Sequence, residues 1–332
     1  MLNQISKIKN QNDISKFKNF WILVCVFNFC ILIFGFLCGC QSQRLYKDTQ
    51  VMMGTFVEVS SPYKEAAGVV FSELKRIEGL LSKYKPDSEI AKLNKSGMLN
   101  VSPEAFYILK KSKEFWQISD GAFDITVAPL IDLWGFSDKK YYLPSLGQIK
   151  DALSLVGSDK IILRDSDNMI KFMVSGMKID LGAIAKGYAL DCASDKLRRA
   201  GIKSCLINAG GQVYCLGGKF GKPWKIAIKG PRGKDFIGYL ELQDKSVSTS
   251  GDYEQYFMKG NLRLAHIFNP KTGYPADSGV VSVTVIASDG LTADALSTAI
   301  FVLGKEKGKE LLKRFPDAEV KIIEEKDVQN NR

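Results

Sequence analysis

The segment from Asp180 to Asp191 constrains the fold of this chain most, because it joins a β-rich run to a helical pattern through a glycine-flanked bend. The run is Met177–Leu181, and Gly182 and Gly187 let the backbone beyond it pass close to a bulky group. Lys186 adds a positive charge on the first turn of the predicted helix, where free N–H groups attract anions such as phosphate. The spacing is not that of a G-x-x-x-x-G-K-[ST] loop. The segment therefore predicts either an anion site or a tight β-to-α turn in which glycine serves packing.

Residues 1–39 are predicted to be a secretory signal peptide. Phe20–Phe36 is almost wholly apolar, follows a basic front and precedes the small residues of Leu37–Cys40. This end resembles a bacterial lipobox, which implies cleavage before Cys40, lipid on its sulfur, and a domain that extends from residue 40 to 332. The alternative is an uncleaved anchor helix, since the apolar run approaches membrane-spanning length. In either case the rest of the chain is expected outside the cytoplasmic membrane.

Composition limits the partners of the exported part. Three of the seven cysteines lie beyond the leader, and their spacing predicts neither a zinc site nor a disulfide framework: Cys192, Cys205 and Cys215. The net charge is +10 for the whole chain and +7 without the leader, and this excess favours anionic partners and an anionic membrane surface. Nucleic acid is not expected as a partner, because the basic residues are scattered and are not clustered with aromatic ones.

Groups of neighbouring strands alternate with inserted helices, which favours an α+β fold with mixed or antiparallel sheets over a doubly wound parallel one. Apolar patterning predicts strands at Gln50–Ser60, Ile161–Arg164, Met169–Met173, Ser204–Ile207, Gln212–Leu216, Trp224–Lys229, Ile237–Gln243, Ser246–Ser250, Leu264–Phe268, Val280–Ala287 and Glu319–Ile323. Helices are predicted at Lys64–Tyr84, Ser102–Ile118, Ala183–Ala200, Ala293–Leu303 and Lys305–Phe315, with a short one inside Phe123–Phe136. The helical region at about 102–152 is predicted to form a lobe over the β-rich part.

Asp294 and Thr298 are candidate metal ligands, because residues four apart project from one face of a helix. A carboxylate with a hydroxyl suits magnesium, whose remaining ligands would be backbone carbonyls, water and substrate phosphate. The alternative is a helix start, in which Asp294 bonds first-turn N–H groups and Thr298 lies on the surface.

His266 is the single histidine of the chain, and it precedes a turn built around Pro270, Gly273 and Pro275. A turn of this kind would hold the imidazole in one place. Because histidine titrates near neutral pH, a ring held in one place is suited to act as a general base that takes the proton of an attacking hydroxyl group. The alternative is a structural hydrogen-bond donor.

Eight collinear segments resemble the ApbE family, the FAD:protein FMN transferases, along nearly all of the exported part. They are M-G-T at Met53–Thr55, S-K-Y-K-P-D-S-E at Ser82–Glu89, G-A-F-D-I-T-V-A-P-L at Gly121–Leu130 with L-W-G-F at Leu133–Phe136, D-L-G-A-I-A-K-G-Y-A-L-D at Asp180–Asp191, N-A-G-G at Asn208–Gly211, S-T-S-G-D-Y at Ser248–Tyr253, H-I-F-N-P-K-T-G-Y-P at His266–Pro275, and A-D-A-L-S-T-A at Ala293–Ala299. One departure is Asn269, where the family usually has aspartate.

The resemblance implies an ApbE-like fold and a magnesium-dependent transfer of FMN from FAD to a threonine or serine hydroxyl of an acceptor flavoprotein, a respiratory or redox subunit, with release of AMP. It implies that metal is held by Asp294, Thr298 and the backbone carbonyl of Ala183, with Ser297 close by. The implied proton acceptor is His266, assisted through Asp180. The implied FAD contacts are Met53, Tyr84, Ala122, Phe123, Asp124, Asp180, Lys186 and Ile267. The lipoprotein leader fits the family and implies a lipid anchor in a bacterial membrane, with the enzyme periplasmic or at the outer face of the cytoplasmic membrane.

Two other functions remain open from the sequence. The same metal and phosphate groups could use water as the acceptor and hydrolyse FAD to FMN and AMP. Alternatively, the chain could be a surface lipoprotein that binds flavin without turnover, although mere binding needs no base. Covalent attachment of flavin to a protein separates the first function from both alternatives.

Overall fold

The computed structural model describes residues 44–232 and 236–329, in which short groups of strands and helices alternate. The strands are β1 Tyr46–Met52, β2 Thr55–Ser61, β3 Met98–Asn100, β4 Ile161–Arg164, β5 Met169–Phe172, β6 Cys205–Ala209, β7 Gln212–Leu216, β8 Trp224–Lys229, β9 Phe236–Leu242, β10 Lys245–Gly251, β11 Tyr256–Lys259, β12 Leu262–Ala265, β13 Val280–Ala287 and β14 Glu319–Glu324. The helices are α1 Ala66–Leu81, α2 Glu89–Ser96, α3 Pro103–Ile118, α4 Ala128–Leu133, α5 Leu146–Ser154, α6 Ala185–Arg199, α7 Gly290–Leu303, α8 Lys305–Leu312 and α9 Glu325–Gln329.

The largest sheet has seven strands in the order β1-β2-β6-β7-β10-β13-β14, and every neighbouring pair is antiparallel. A second antiparallel sheet has the order β3-β5-β4, and β8–β9 and β11–β12 are separate two-stranded sheets. Helices are inserted between these groups, so the predicted α+β class with mixed or antiparallel sheets is confirmed.

Helix α6 packs against both α1 and α7, and all three helices contact strands of the large sheet. In α1 the residues Val70, Leu74, Ile77 and Leu81 recur every three or four positions and are all buried, so this helix follows its apolar pattern. Helix α7 contacts α6, α8, β10 and β13. Because it is surrounded in this way, most of its residues are buried, and a polar side chain on it must find partners inside the fold.

A second apolar cluster packs α4 and α5 against the segment that follows β12. Its largest members are Trp134, Phe136 and Phe268, with Trp134 and Phe268 ring centroids 6.0 Å apart. Trp134 Nε1 donates to the Gly273 carbonyl over 3.1 Å. This cluster therefore fixes the turn after His266 to the helical part of the chain.

From Leu45 onward the chain forms one compact unit. The predicted signal peptide and the predicted lipidation site Cys40 lie outside the described residues, and the domain boundary at 39 and 40 and the lobe at about 102–152 stay predictions. Among the residues that the structure describes, no helix combines the length and apolarity needed to cross a membrane.

Two stretches predicted to be single strands have a different structure. The strand at Gln50–Ser60 is a hairpin of β1 and β2, because Met53 and Gly54 both take positive φ in a two-residue turn. The run Met177–Leu181 pairs with none of the strands described by the structure. Both backbone groups of Ile179 bond the side-chain amide of Asn94 instead, at 2.8 and 2.9 Å.

Other elements differ in extent. The strand predicted at Leu264–Phe268 is β12, which ends before His266, and its partner β11 was not predicted. Helices α2 and α5 were also missed, although Ser88 and Ser145 cap their first turns and offered a local signal. Both helices have fewer than ten residues, too few for a clear apolar period.

Candidate active site

The candidate metal ligands on α7 face two serines of β10. Ser248 Oγ donates to Asp294 Oδ1 over 3.2 Å, and Ser250 Oγ lies 2.8 Å from Ser297 Oγ and 3.3 Å from Thr298 Oγ1. Asp294 and Ser297 are buried, and Thr298 is half-buried. The serines are two apart on a strand and Asp294 and Thr298 are four apart on a helix, so each pair shares a face. One carboxylate and four hydroxyl groups therefore meet where β10 contacts α7.

Two glycines let α6 and α7 cross in direct contact beside this patch. A Cβ atom at Gly187 would lie 2.0 Å from the Gly290 carbonyl oxygen, and one at Gly290 would lie 2.4 Å from the Gly187 carbonyl oxygen. The close crossing brings the Gly187 N–H to Asp294 Oδ2, at 3.0 Å. The start of α6 and helix α7, which the family resemblance implies hold one cation, are thus joined by a hydrogen bond.

That hydrogen bond changes the start of α6. In a regular helix the Gly187 N–H would donate to the carbonyl four residues earlier, which is that of Ala183. Within residues 44–232 and 236–329, no hydrogen bond reaches the Ala183 carbonyl oxygen. A helix-start carbonyl without a donor is available to a cation.

The donor chemistry of this region fits magnesium. Asp294 supplies a carboxylate, Thr298 a hydroxyl and Ala183 a carbonyl, which are the oxygen types that Mg²⁺ accepts beside water and phosphate. In the described part of the chain, no three His, Cys, Asp or Glu side chains are grouped so that they could hold a metal ion. The nitrogen and sulfur donors that favour zinc are therefore not gathered here.

Asp191 holds the start of α7 from the neighbouring helix. Its two carboxylate oxygens accept from the Gly290 N–H at 2.6 Å and from the Leu291 N–H at 2.9 Å. Burial raises the pKa of Asp191 to about 7 against the opposing effect of these two bonds. Sequence analysis gave Asp191 no role, although it closes the most distinctive motif of the chain.

Asp180 connects three segments near the start of α6. Its Oδ1 accepts from the Gly182 N–H at 2.7 Å, and its Oδ2 lies 3.0 Å from Lys83 Nζ. Its own N–H donates to the Ile125 carbonyl at 2.7 Å, which ties it to the Ala122–Asp124 segment. Lys186 Nζ donates to the Gly182 carbonyl at 3.0 Å. The predicted residues Asp180 and Lys186 are thus brought to one bend, together with Lys83, which was not predicted.

His266 lies just beyond β12 with its ring half-buried. The Gln255 carbonyl accepts from the His266 N–H at 3.0 Å and is 3.2 Å from Nδ1. A carbonyl oxygen only accepts, so Nδ1 carries the proton and Nε2 keeps its lone pair. Burial and the positive charge of Lys186 lower the pKa of His266 to about 4, against the opposing influence of Asp180. At neutral pH the ring is therefore a neutral base.

The turn after His266 is held by Asn269, where the related family usually has aspartate. Asn269 Oδ1 accepts from the Lys271 N–H at 2.9 Å, and its backbone carbonyl accepts from the Gly273 N–H at 2.9 Å. An amide oxygen makes this turn as a carboxylate oxygen does, because only an acceptor is required. The substitution therefore preserves the turn without a negative charge.

Met53 and Tyr84 are linked through Glu78. Glu78 accepts from the Met53 N–H at 2.9 Å and from Lys85 Nζ at 2.8 Å, and Lys85 is the neighbour of Tyr84. The Tyr84 ring is 64% exposed and lies 5.0 Å from Lys83 Nζ, so it is open to a planar ligand. Among the described residues Met53 makes no hydrogen bond to Asp180, but Lys83, which pairs with Asp180, lies in the same loop as Tyr84 and Lys85.

The remaining candidates for FAD contact are largely enclosed by protein. Ala122, Phe123 and Ile267 are buried, and the Ile267 carbonyl accepts from the Ala276 N–H at 2.8 Å. The Asp124 carboxylate accepts from Thr126 and Ser158 at 2.7 to 3.2 Å, and burial raises its pKa. The structure thus shows Asp124 holding the loop together, with both of its oxygens already bonded.

Sequence analysis missed several residues that complete the site. Ser248 and Ser250 lie in a quoted motif but were given no role, although their alternation on a strand was a usable signal. Lys83 and Glu78 contact Asp180 and Met53, which are distant in sequence, so no local pattern predicts them. Gln255 was missed because strand β11, which follows it, was not predicted.

The comparisons with known proteins cover the eight segments that carry the resemblance. The model of the ApbE family matches residues 53–322. A relative from Klebsiella pneumoniae named FAD:protein FMN transferase is 33% identical over 290 residues, which cover 85% of this chain and 90% of the relative. A relative of the same name from Escherichia coli K12 is 34% identical over 291 residues, which cover 83% of each chain.

Solved structures agree in fold. The ApbE protein of Thermotoga maritima superposes with a TM-score of 0.79 at 37% identity, covering 85% of this chain and 95% of that one. The apo form of the flavinyl transferase ApbE from Pseudomonas stutzeri gives a TM-score of 0.74 at 31% identity, covering 86% of this chain and 96% of that one.

Proposed function

The chain belongs to the ApbE family, and from this membership we propose that it transfers FMN from FAD to a threonine or serine hydroxyl of an acceptor flavoprotein, with Mg²⁺ and with release of AMP. It is an enzyme of the flavin transferase class. The acceptor hydroxyl oxygen forms a bond to the FMN phosphorus, the bond to the AMP oxygen breaks, and the hydroxyl proton leaves with a base.

The observation that carries the proposal is the junction between α6 and α7. Gly187 donates to Asp294, and the Ala183 carbonyl is thereby left without a donor in the described part of the chain. Asp294, Thr298 and Ala183 would hold Mg²⁺, with Ser297 supporting Ser248 and Ser250 beside them. When bound there, the ion would stabilise negative charge on the FAD diphosphate.

His266 is the proposed proton acceptor. Its neutral ring, fixed through Nδ1 to Gln255, presents Nε2 to an incoming hydroxyl. Lys186 would offset phosphate charge, and Asp180 would favour the protonated ring as it forms. These charges act in opposite directions on the ring, which suits a group that gains and then loses a proton.

FAD is proposed to lie across the surfaces that meet near Asp180. Met53 and Tyr84 offer apolar and aromatic surface for the ring systems, and Ile267, whose side chain is buried, would contact FAD through its backbone. Ala122 and Phe123 would form a wall. We assign Asp124 to the support of this wall, because its oxygens are occupied by Thr126 and Ser158.

The proposed setting is the outer side of a bacterial membrane. Removal of residues 1–39 and lipid on Cys40 would anchor the enzyme, periplasmic or at the outer face of the cytoplasmic membrane, near respiratory or redox subunits. The apolar run before Leu37–Cys40 supports this proposal.

The test is incubation of the purified protein with FAD, Mg²⁺ and candidate respiratory flavoproteins, followed by in-gel flavin fluorescence and measurement of AMP. We expect fluorescence that survives denaturation, one AMP per flavin attached, and loss of both when Mg²⁺ is chelated.

Asp294→Ala should abolish both signals, whereas Asp317→Ala, an exposed aspartate beyond α8, should change neither. Full activity of Asp294→Ala would remove the proposed ligand set. AMP with free FMN, and no labelled protein, would instead indicate hydrolysis.

A further inference from the structure

The hairpin β11–β12 projects directly from the proposed base. Gln255 precedes β11 and His266 follows β12, and the two are joined by the bonds that fix the His266 ring. In the described ranges this hairpin pairs with no other strand. Both of its edges are therefore open next to the group that must receive the acceptor hydroxyl.

One face of the hairpin is packed against the protein. Phe257 and Leu264 are opposite each other in the register, so their side chains share a face, and both contact the cluster of Trp134 and Phe268. Phe257 also stacks on Tyr141 with centroids 5.0 Å apart. The hairpin is therefore held rigidly by this face.

The opposite face carries Tyr256, Met258 and Arg263, because Met258 is opposite Arg263 and two positions from Tyr256. Met258 is 51% exposed and Tyr256 is 38% exposed. The Arg263 guanidinium lies 3.9 Å from the Tyr256 ring centroid, so the ring and the cation already form one platform. We call this set, Tyr256, Met258 and Arg263, the hairpin platform.

We propose that the hairpin platform and its free edge dock an extended segment of the acceptor protein, so that the hydroxyl residue of that segment is held at His266. This proposal rests on the proposed function. A strand of four residues is roughly 13 Å long, so the docked segment would span about four residues on one side of the hydroxyl. Apolar exposed side chains with an open strand edge are the features by which proteins bind extended peptides.

The position of the hairpin favours the acceptor over other occupants. Apart from Ile267, which directly follows His266, the surfaces proposed for FAD lie on other segments, those of Met53, Tyr84 and Ala122–Asp124. A protein acceptor must reach Nε2 of His266, and β12 ends one residue before that ring. An acceptor segment is thus the occupant whose chemistry requires contact at this end of the hairpin.

The test uses the acceptor flavoprotein that becomes fluorescent in the transfer assay, titrated against the full-length enzyme. Met258→Asp should raise the KM for this acceptor at least tenfold, the scale of an interface anchor, while kcat and the Kd for FAD stay within twofold. Met98→Asp is the matched control, because Met98 is 53% exposed on β3 of another sheet, and its KM should equal that of the wild type. Arg263→Glu, on the same platform, should follow Met258→Asp.

Each other outcome contradicts a different claim. Equal KM values for Met258→Asp and Met98→Asp, with active wild type, would overturn the docking proposal alone. If Met258→Asp abolished a dimer seen by sedimentation and left the KM unchanged, a second copy of the chain would be the occupant. Failure of the wild type to label any protein would contradict the proposed function itself, and the docking proposal with it.

Discussion

His266 combines a fixed tautomer, set by a residue at the other end of the same hairpin, with a neutral ring, favoured by burial and by a lysine distant in sequence. Gln255 fixes Nδ1, while burial and Lys186 keep the ring unprotonated. A ring with a pKa of about 4 is a weak base in the resting enzyme. The ring can accept a proton during the reaction only if a negative group stabilises the positive charge that it gains. This role is proposed for Asp180.

Replacement of this ring tests its role. His266→Ala should lower the rate of flavin transfer by about two orders of magnitude or more, the usual contribution of a general base, with little change in FAD affinity. The pH profile of the wild type should stay flat down to about pH 5, since the ring remains neutral above its lowered pKa. Transfer kinetics and FAD binding by fluorescence quenching measure the two effects. A collapse of FAD affinity with unchanged kcat would identify His266 as a binding group instead.

Among the helices, the crossing of α6 and α7 determines the geometry of the site. Gly187 and Gly290 touch through their backbones, so neither position has room for a side chain. The crossing delivers the Gly187 N–H to Asp294 and separates it from Ala183. The same two glycines therefore control both the helix packing and the position of the proposed metal ligands.

Gly187→Ala should destabilise the protein by about 1–3 kcal/mol, the cost of overpacking, and should reduce transfer by displacing Asp294. Gly79→Ala in α1 is the control. A Cβ there would meet no atom within 4 Å, so alanine should stabilise the helix by roughly 0.5–1 kcal/mol. Denaturant unfolding and transfer assays give both values. Equal stabilities for the two variants would show that the helices separate without cost and that the contact does not control the site.

Asp191 connects the same helices through a carboxylate whose pKa is raised to about 7. The unfolded chain releases this proton near pH 4 and the folded chain near pH 7, so folding takes up a proton between these values. The Asp191 contribution to stability is therefore complete below pH 4 and falls as the pH rises to 7. Asp191→Asn should remove this part of the pH dependence, an effect of roughly 4 kcal/mol at most. Thermal unfolding of both proteins from pH 4 to 8 measures it, and parallel curves would refute the assignment.

The elements show what could be predicted from the sequence. The α7 pair Asp294 and Thr298 was placed on one face by spacing alone, and the strand β13 was predicted with the bounds it has. The run Met177–Leu181 was misread, because its partner is the side chain of Asn94 rather than a strand. The contact of Gly187 with Gly290 joins residues about a hundred positions apart. The repeat of apolar residues within one helix or strand contains no information on such a pair.

At the scale of the whole molecule, the fold brings together reactive side chains that come from distant parts of the chain. Strand β10 brings the serine hydroxyls, α7 the Asp294 carboxylate and the segment after β12 the proposed base, His266. The family resemblance supplied the functional hypothesis, since residue types alone left hydrolysis and simple binding open. The leader and its proposed lipid anchor concern the location of the enzyme and can be tested separately from its chemistry.

Cys40→Ser should release the protein from the membrane fraction of cells, because the lipid would no longer be attached. Immunoblots of membrane and soluble fractions measure the change, and Cys38→Ser, two residues earlier in the leader, is the matched control. Persistent membrane association of Cys40→Ser would favour an uncleaved anchor helix.

The central claim is that a cation bridges the start of α6 and the first half of α7 when FAD is bound. The most direct measurement is a crystal structure with FAD and Mn²⁺ in place of Mg²⁺, in which anomalous scattering locates the ion. The account predicts a peak at about 2.0–2.2 Å from an Asp294 carboxylate oxygen and the Ala183 carbonyl oxygen, beside the FAD diphosphate. A bound FAD whose only cation lies away from both oxygens would contradict it.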